Sequence, residues 1–464
     1  MAYKSESDIE KTTAIEKRYT FLTETPVPLL ITKLSVPTVI SMLVTAIYNA
    51  ADTFFVGRIS TEATAAVGLS FSVMAIIQAL GFFCGQGSGN YLSRMLGAGR
   101  QREAEEMAST GLFVSIAIGI ALALGSLLFI RPLALFLGAS PGTLNDTENY
   151  LRFIVLGAPF MTGQFVVNNQ LRYQGSAFYA MVGLLSGALL NIVLDPILIF
   201  ALHLGVAGAA IATVMGQFIS FLVLLIGSSR GANIRLKPSN IRVNGHYLFE
   251  IVNGGIPALF RQGLAALATL LLNRAAGAYG DAAIAGMSVT TRVMLFVASA
   301  LIGFGQGYQP VCAFNYGAGK KERVKEGFFF CVKYGTIFLT FMAALCFIFP
   351  SQIIGWFRND PDVIAVGKVA LRWQSVVLPL QAAIVISNMM LQSIGKGVKA
   401  SITASARSGF FFIPLIIVLP KFFGLLGVEM TQAVADLFSF FLALPFARLD
   451  PAALKHELDR ISTL

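Results

Sequence analysis

Twelve long apolar runs constrain this chain more than any other feature, at approximately 29–56, 63–84, 107–130, 149–171, 178–201, 206–227, 249–275, 283–306, 328–350, 366–391, 400–426 and 430–447. About 20 apolar residues in a helix cross a bilayer core about 30 Å thick. Charge is scarce to match: 12% of the 464 residues are charged, against about 25% in soluble domains. The 38 Phe and 44 Gly suit lipid-facing bulk and close helix packing. The expected fold is an all-α integral membrane protein with 12 transmembrane helices. The first 24 residues are polar and hold no apolar core of a cleaved signal peptide. Cys84, Cys312, Cys331 and Cys346 lack metal-type spacing and read as small buried hydrophobes.

Lys and Arg set the expected orientation. With the N-terminus inside, basic residues favour the inner side by about three to one, with Arg94 and Arg407 counted in inner loops. Both termini are then cytoplasmic. The formal charge of +10 is topogenic and scattered over loops, not gathered into the basic patch of a nucleic-acid binder. The expected organisation is a tail at 1–24, an N-lobe at 25–230, a linker at 231–247, a C-lobe at 248–448 and a second tail at 449–464.

The two lobes repeat one another. Gly85-Gln86-Gly87 recurs as Gly305-Gln306-Gly307, and Gly97-Ala98-Gly99-Arg100 as Gly317-Ala318-Gly319-Lys320, both at an offset of 220. Leu151-Arg152, Pro159, Asn168 and Gly175 match Leu371-Arg372, Pro379, Asn388 and Gly395 in the same register. Ser186-Gly187 and Gly205-Val206 match Ser408-Gly409 and Gly427-Val428 at 222. Six helices per half is an even number, so the halves are parallel six-helix bundles, an arrangement found in secondary transporters.

Ionisable groups inside a membrane are costly and are functional candidates by default. The intramembrane acids are Asp52, Asp195 and Asp436, with Glu250 and Glu429 near helix ends. At a rise of about 1.5 Å per residue, Asp52, Asp195 and Thr213 all lie roughly 6–10 Å below the outer ends of helices one, five and six. Asn191, one turn before Asp195, shares its face. Two carboxylates with amide and hydroxyl oxygens at one depth can hold a proton or a small cation. Alternatively, each Asp caps a broken helix or pairs with a neighbouring donor, and Pro196 after Asp195 permits such a break. Pairing is the favoured reading for Asp436, since the second half's membrane segments hold no other acid.

Pro37 inside helix one is a candidate hinge or a static kink. Gln217, Arg261, Arg292 and Asp436 are candidates for lining a substrate cavity. His203, His246 and His456 show no metal spacing, so the expected metal is at most Na⁺ at Asp52 and Asp195. The Gly-Gln-Gly motifs follow no strand and form no Walker pattern. Neither an enzyme nor a cofactor beyond a coupling ion is expected.

The run Asp52-Thr53-Phe54-Phe55-Val56-Gly57, the Gly97-Ala98-Gly99 turn with its echo at 317, and Asn191 to Pro196 resemble the multidrug and toxic compound extrusion (MATE) family, in its prokaryotic DinF-like branch. The resemblance runs from about Leu22 to about Pro445. It implies two six-helix bundles in a V around a central cavity, and export of cationic or amphipathic compounds against inward Na⁺ or H⁺. It implies an N-lobe cation site at Asp52, Asn191, Asp195 and Thr213, with Asn168 or Asn169 adding an amide, and bending at Pro37. The chain departs from a second branch, whose C-lobe acids sit on helices seven and ten: 251–275 and 366–391 contain no Asp or Glu. Arg261 and Arg292 also make that interior less friendly to cations.

The expectation is a multidrug efflux antiporter of the bacterial inner (plasma) membrane. Its partners would be the lipid bilayer and small-molecule drugs or organic cations, with no nucleic acid and a monomeric state. The alternative is a flippase for lipid-linked precursors on a related two-lobe scaffold. A receptor or channel fits less well, because the doubled architecture has no large domain outside the membrane.

Overall fold

A computed structural model of the chain describes residues 6–447, without the side chains of 6–12, 46, 49, 50, 53, 61, 446 and 447. The first five residues and the expected tail at 449–464 lie outside the described residues. In chain order the helices are α1 (Glu6–Glu24), α2 (Val27–Val56), α3 (Thr61–Gly97), α4 (Gln101–Leu128), α5 (Ile130–Phe136), α6 (Leu144–Leu156), α7 (Ala158–Tyr173), α8 (Ala177–Pro196) and α9 (Gly205–Ser228). They continue with α10 (Gly245–Gly277), α11 (Asp281–Gly317), α12 (Lys321–Ile348), α13 (Pro350–Phe357), α14 (Pro361–Val377), α15 (Gln381–Ser393), α16 (Gly397–Ser405), α17 (Phe412–Phe423) and α18 (Leu425–Ala447). No strand occurs among the described residues.

Among the described residues eleven spans are long and apolar enough to cross a membrane, and α6 with α7, bent by 48°, makes a twelfth. The bend falls at Gly157, with Pro159 in the first turn of α7; proline has no backbone donor to continue the ladder. Its repeat partner Pro379 falls in a 3₁₀ turn at Leu378–Leu380 between α14 and α15, which together remain one span. Short helices follow the same register, with α5 starting at Ile130 and α13 at Pro350. So does a hydrogen bond: Asn168 Nδ2 donates to Ala180 O at 2.9 Å, and Asn388 Nδ2 to Ala400 O at 2.6 Å.

Several expectations need correction. Helices two and eight do not stop near 84 and 306 but continue to Gly97 and Gly317. Hydropathy falls there because Gln86, Ser88, Asn90 and Ser93 are polar, yet all four are fully buried against other helices. Arg94 therefore lies in α3, and Arg407 lies in a π-helical turn, Ala406–Phe410, inside a span; neither is a loop residue. The polar tail contains α1, whose end is docked. Leu22 and Thr23 are buried, Arg323 Nη2 donates to Thr25 O at 2.6 Å, and Arg18 Nη1 donates to Ala232 O at 2.6 Å. All four cysteines are buried and unbridged.

The chain forms two compact units. The first holds residues 1–263, 295–331 and 392–397; the second holds 264–294, 332–391 and 398–464. Within the first unit the repeated glycines interlock. A Cβ on Gly97 would strike Phe314 O, and one on Gly317 would strike Arg94 O, the equivalent residue of the other half. Gly99 (φ +75°) and Gly319 (φ +73°) then turn the chain in the left-handed region. The Gly-Ala-Gly repeat is thus a steric requirement of this crossing. The second unit has its own apolar core, with Ala268, Leu272, Phe412, Ile416 and Val428 buried together.

Candidate functional site

The N-terminal half builds its polar cluster on α2, α8 and α9. Gly187 on α8 and Gly216 on α9 let the two backbones meet: a Cβ on Gly187 would lie 2.5 Å from Gly216 O. That close approach brings Thr213 to Asn191, whose Nδ2 lies 3.4 Å from Thr213 Oγ1 and 3.3 Å from Asp195 Oδ1. Asp195, Asn191 and Thr213 are buried. Helix α8 ends at Pro196, directly after Asp195, and passes into a π-helical turn at Ile197–Ala201.

Asp52 on α2 lies close enough to Asp195 to act on it electrostatically. Two tyrosines that the sequence did not single out complete the cluster. The Tyr48 and Tyr150 rings both lie in the field of Asp52 and Asp195, and the Tyr150 hydroxyl donates to Met74 Sδ at 3.6 Å. Tyr48 precedes Asp52 by one helical turn, and Gln217 follows Thr213 by one; the i, i+4 rule was a usable signal for both. Tyr150 comes from α6 and carries no such signal.

Donors are scarce in this cluster. Asp52 Oδ1, Asn191 Oδ1, Asp195 Oδ2 and Gln217 Oε1 are buried with no hydrogen-bond partner among the described residues. Buried acceptors without donors are costly. Hard oxygen donors of this kind suit a proton or a small hard cation. No group of three His, Cys, Asp or Glu forms among the described residues.

The other sequence candidates are not brought to this cluster. Asn168 holds Ala180 O near the start of α8, about 22 Å along that helix from Asp195. Asn169 lies beside it, bonded to Phe165 O and Arg172. Pro37 sits within α2, where Ser35 Oγ and Thr38 Oγ1 donate to Phe304 O and Gly303 O of α11 at 3.1 and 2.7 Å. Asp436, proposed for the cavity, is instead enclosed within the second unit. Its Oδ1 accepts from Arg407 Nε at 2.7 Å and Gln432 at 2.8 Å, and its Oδ2 from Gln381 at 2.8 Å. Arg292 is exposed on α11, and Arg261 on α10 donates to Gln86 Oε1 at 3.4 Å.

Twelve spans in two repeated halves, with a buried acceptor-rich cluster in one, define a polytopic helical membrane protein of the transporter kind. The MatE family model matches the chain twice, at residues 37–197 and 257–418, which reproduces the repeat. The chain belongs to this family, the multidrug and toxic compound extrusion transporters. It is 31% identical over 416 residues to the multidrug export protein MepA of Staphylococcus haemolyticus, covering 88% of this chain and 91% of that protein. It is 32% identical over 409 residues to MepA of Staphylococcus aureus (strain MSSA476), covering 87% and 89%. Among solved structures, MATE in the bent and in the straight conformation each match with a TM-score of 0.88 at 26% identity, over 95% of this chain and 99% of that one. A transporter of the MOP superfamily from Pyrococcus furiosus, described as having a binding pocket of reversed polarity, matches equally well.

Proposed function

We propose that the chain is a secondary active antiporter that exports amphipathic or cationic small molecules in exchange for H⁺ or Na⁺, by alternating access between its halves. The observation that carries the coupling role is the set of four unpartnered acceptor oxygens at Asp52, Asn191, Asp195 and Gln217. Two acids on separate helices lose most of their mutual repulsion when a proton or Na⁺ joins them. Tyr48 and Tyr150 report that change to α2 and α6. Helix α2 carries both Asp52 and Pro37, so ion binding at one end can act on a bend at the other; bent and straight conformations are known in a solved MATE structure. The MepA relatives are named for multidrug export, which supports drugs as the exported class. Residence in the bacterial plasma membrane is part of this reading, with both termini cytoplasmic as the basic bias of the loops favours. The N-half acids and the Asn191–Pro196 motif favour the DinF-like branch.

The test is transport by the purified protein in proteoliposomes under separately imposed Na⁺ and H⁺ gradients. The wild type should export dye under at least one gradient. Asp52→Asn and Asp195→Asn should abolish the response, and wild-type export by the doubly neutralised protein would overturn the coupling role.

A further inference from the structure

The polar segment before the first span folds into α1, and the repeat holds no counterpart of it: residues 226–244, 220 positions on, form the end of α9 and the linker. Within the first compact unit, α1 is nevertheless docked on both halves. On the first half, Leu22 is fully buried and covers Gly175 in the turn between α7 and α8, where a Cβ would lie 3.1 Å from Leu22 Cδ2. Arg18 Nη1 donates to Ala232 O at 2.6 Å. That stretch of linker is itself fixed to the same turn. Ser176 Oγ donates to Asn233 Oδ1 at 2.5 Å, and Ile234 N to Gln174 Oε1 at 2.7 Å.

On the second half, the end of α1 meets the turn between α11 and α12. A helix end leaves its last carbonyls without donors and carries a partial negative charge. The last turn of α1 has no basic residue of its own, and the second half answers those carbonyls instead. Asn315 Nδ2 donates to Leu22 O at 3.0 Å, Lys320 Nζ to Thr23 O at 3.2 Å, and Arg323 Nη2 to Thr25 O at 2.6 Å. The Tyr19 ring stands edge-on to Phe314, with centroids 5.6 Å apart.

The repeat marks this contact as a departure from the common scaffold. Arg323 lies in the first turn of α12, where the helix dipole favours an acid. Its counterpart in the first turn of α4 is Glu103, which follows that preference. Asn315, whose Oδ1 accepts from Arg323 Nε at 3.0 Å, stands where the first half has Met95. Both exchanges fall where α1 binds. Anchoring an N-terminal segment needs contacts to one half only; α1 has them to both.

Gly97 and Gly317 cross at this same end, each against the backbone of the other half. We propose that α1 is a strap over this crossing, which must release one half before α3 and α11 can part. The transport consequence rests on the alternating-access reading, and the strap itself does not.

Spin labels at Arg102→Cys and Glu322→Cys measure the separation between the starts of α4 and α12 in the purified full chain. Both sites are exposed, and the four native cysteines are buried. Electron–electron double resonance should give one dominant short distance when α1 is intact. Arg323→Glu, which restores the residue type of the first half, should raise the ratio of longer to shorter distances about ten-fold, the value of one charged hydrogen bond. Arg18→Gln frees the other anchor and should shift the ratio in the same direction, with the double variant shifting it most. Hydrogen exchange over residues 18–25 should quicken in step, and thermal melting verifies folding. An unchanged distance distribution in the double variant, or faster exchange in α1 with no gain in the longer distance, makes α1 a static anchor and overturns the strap. In proteoliposomes the single variants should export dye several-fold faster than the wild type under the same gradient. Shifted distances without any gradient-driven export would instead refute the antiport reading and leave the strap standing.

Discussion

Asp195 and Asp436 are both buried acids on membrane-spanning helices, one in each half, and their surroundings are opposite in kind. Asp195 has one long contact to an amide, a second acid in its field and an oxygen without a partner. Asp436 has four donated bonds, two of them from Arg407. The guanidinium is a tethered cation: it occupies the position that a mobile ion would need. A carboxylate that is already neutralised from within has no use for an exchangeable proton or Na⁺. The repeat has therefore kept the scaffold in both halves, while the second answers its buried aspartate from within.

The sharpest way to break this contrast is to neutralise acids on each side. Asp52→Asn with Asp195→Asn should reduce gradient-driven export to the level of empty vesicles while thermal stability holds or rises, since the pair has no internal counter-ion to lose. In the second half, Arg407→Met should cost about 3–5 kcal/mol, because it strands a buried charge. Thermal melting of Arg407→Met with Asp436→Leu should recover most of that loss, as replaced buried pairs commonly do. An Arg407→Met protein as stable as the wild type would remove the tethered-cation account.

A smaller effect separates two glycines in the same register. Gly187→Ala pushes a Cβ to 2.5 Å from the rigid Gly216 carbonyl, so about 1–3 kcal/mol of overpacking is expected, with loss of the Asn191–Thr213 approach. Gly409→Ala meets the end of the flexible Leu264 side chain at 2.9 Å, and should cost under about 1 kcal/mol. Parallel melting curves in detergent decide between them. Smallest of all, Asn168→Ala and Asn388→Ala each remove the bond to the start of the next helix, at about 0.5–1.5 kcal/mol, with Asn388→Ala also losing the bond to Thr403. A loss in both variants with export retained would mark this part of the repeat as scaffold in both halves, and a selective loss of ion-driven export in Asn168→Ala would return it to the coupling machinery.

Hydropathy and helical period are local properties, so the amino-acid sequence alone gave the twelve expected spans, the register of 220 to 222 between the halves, the common depth of Asp52, Asp195 and Thr213, and the shared face of Asn191 and Asp195. The same local reading stopped too early at residues 84 and 306, because it measures affinity for lipid, while α3 and α11 continue as helices buried in protein. Only the tertiary structure decided which side chains meet. It brought the Tyr150 hydroxyl to Met74, gave Arg407 to Asp436, and set Arg172 and Arg261 on the two repeated glutamines. Each of those pairs links separate helices, and whether a buried charge is answered or left open depends on what the neighbouring helix presents.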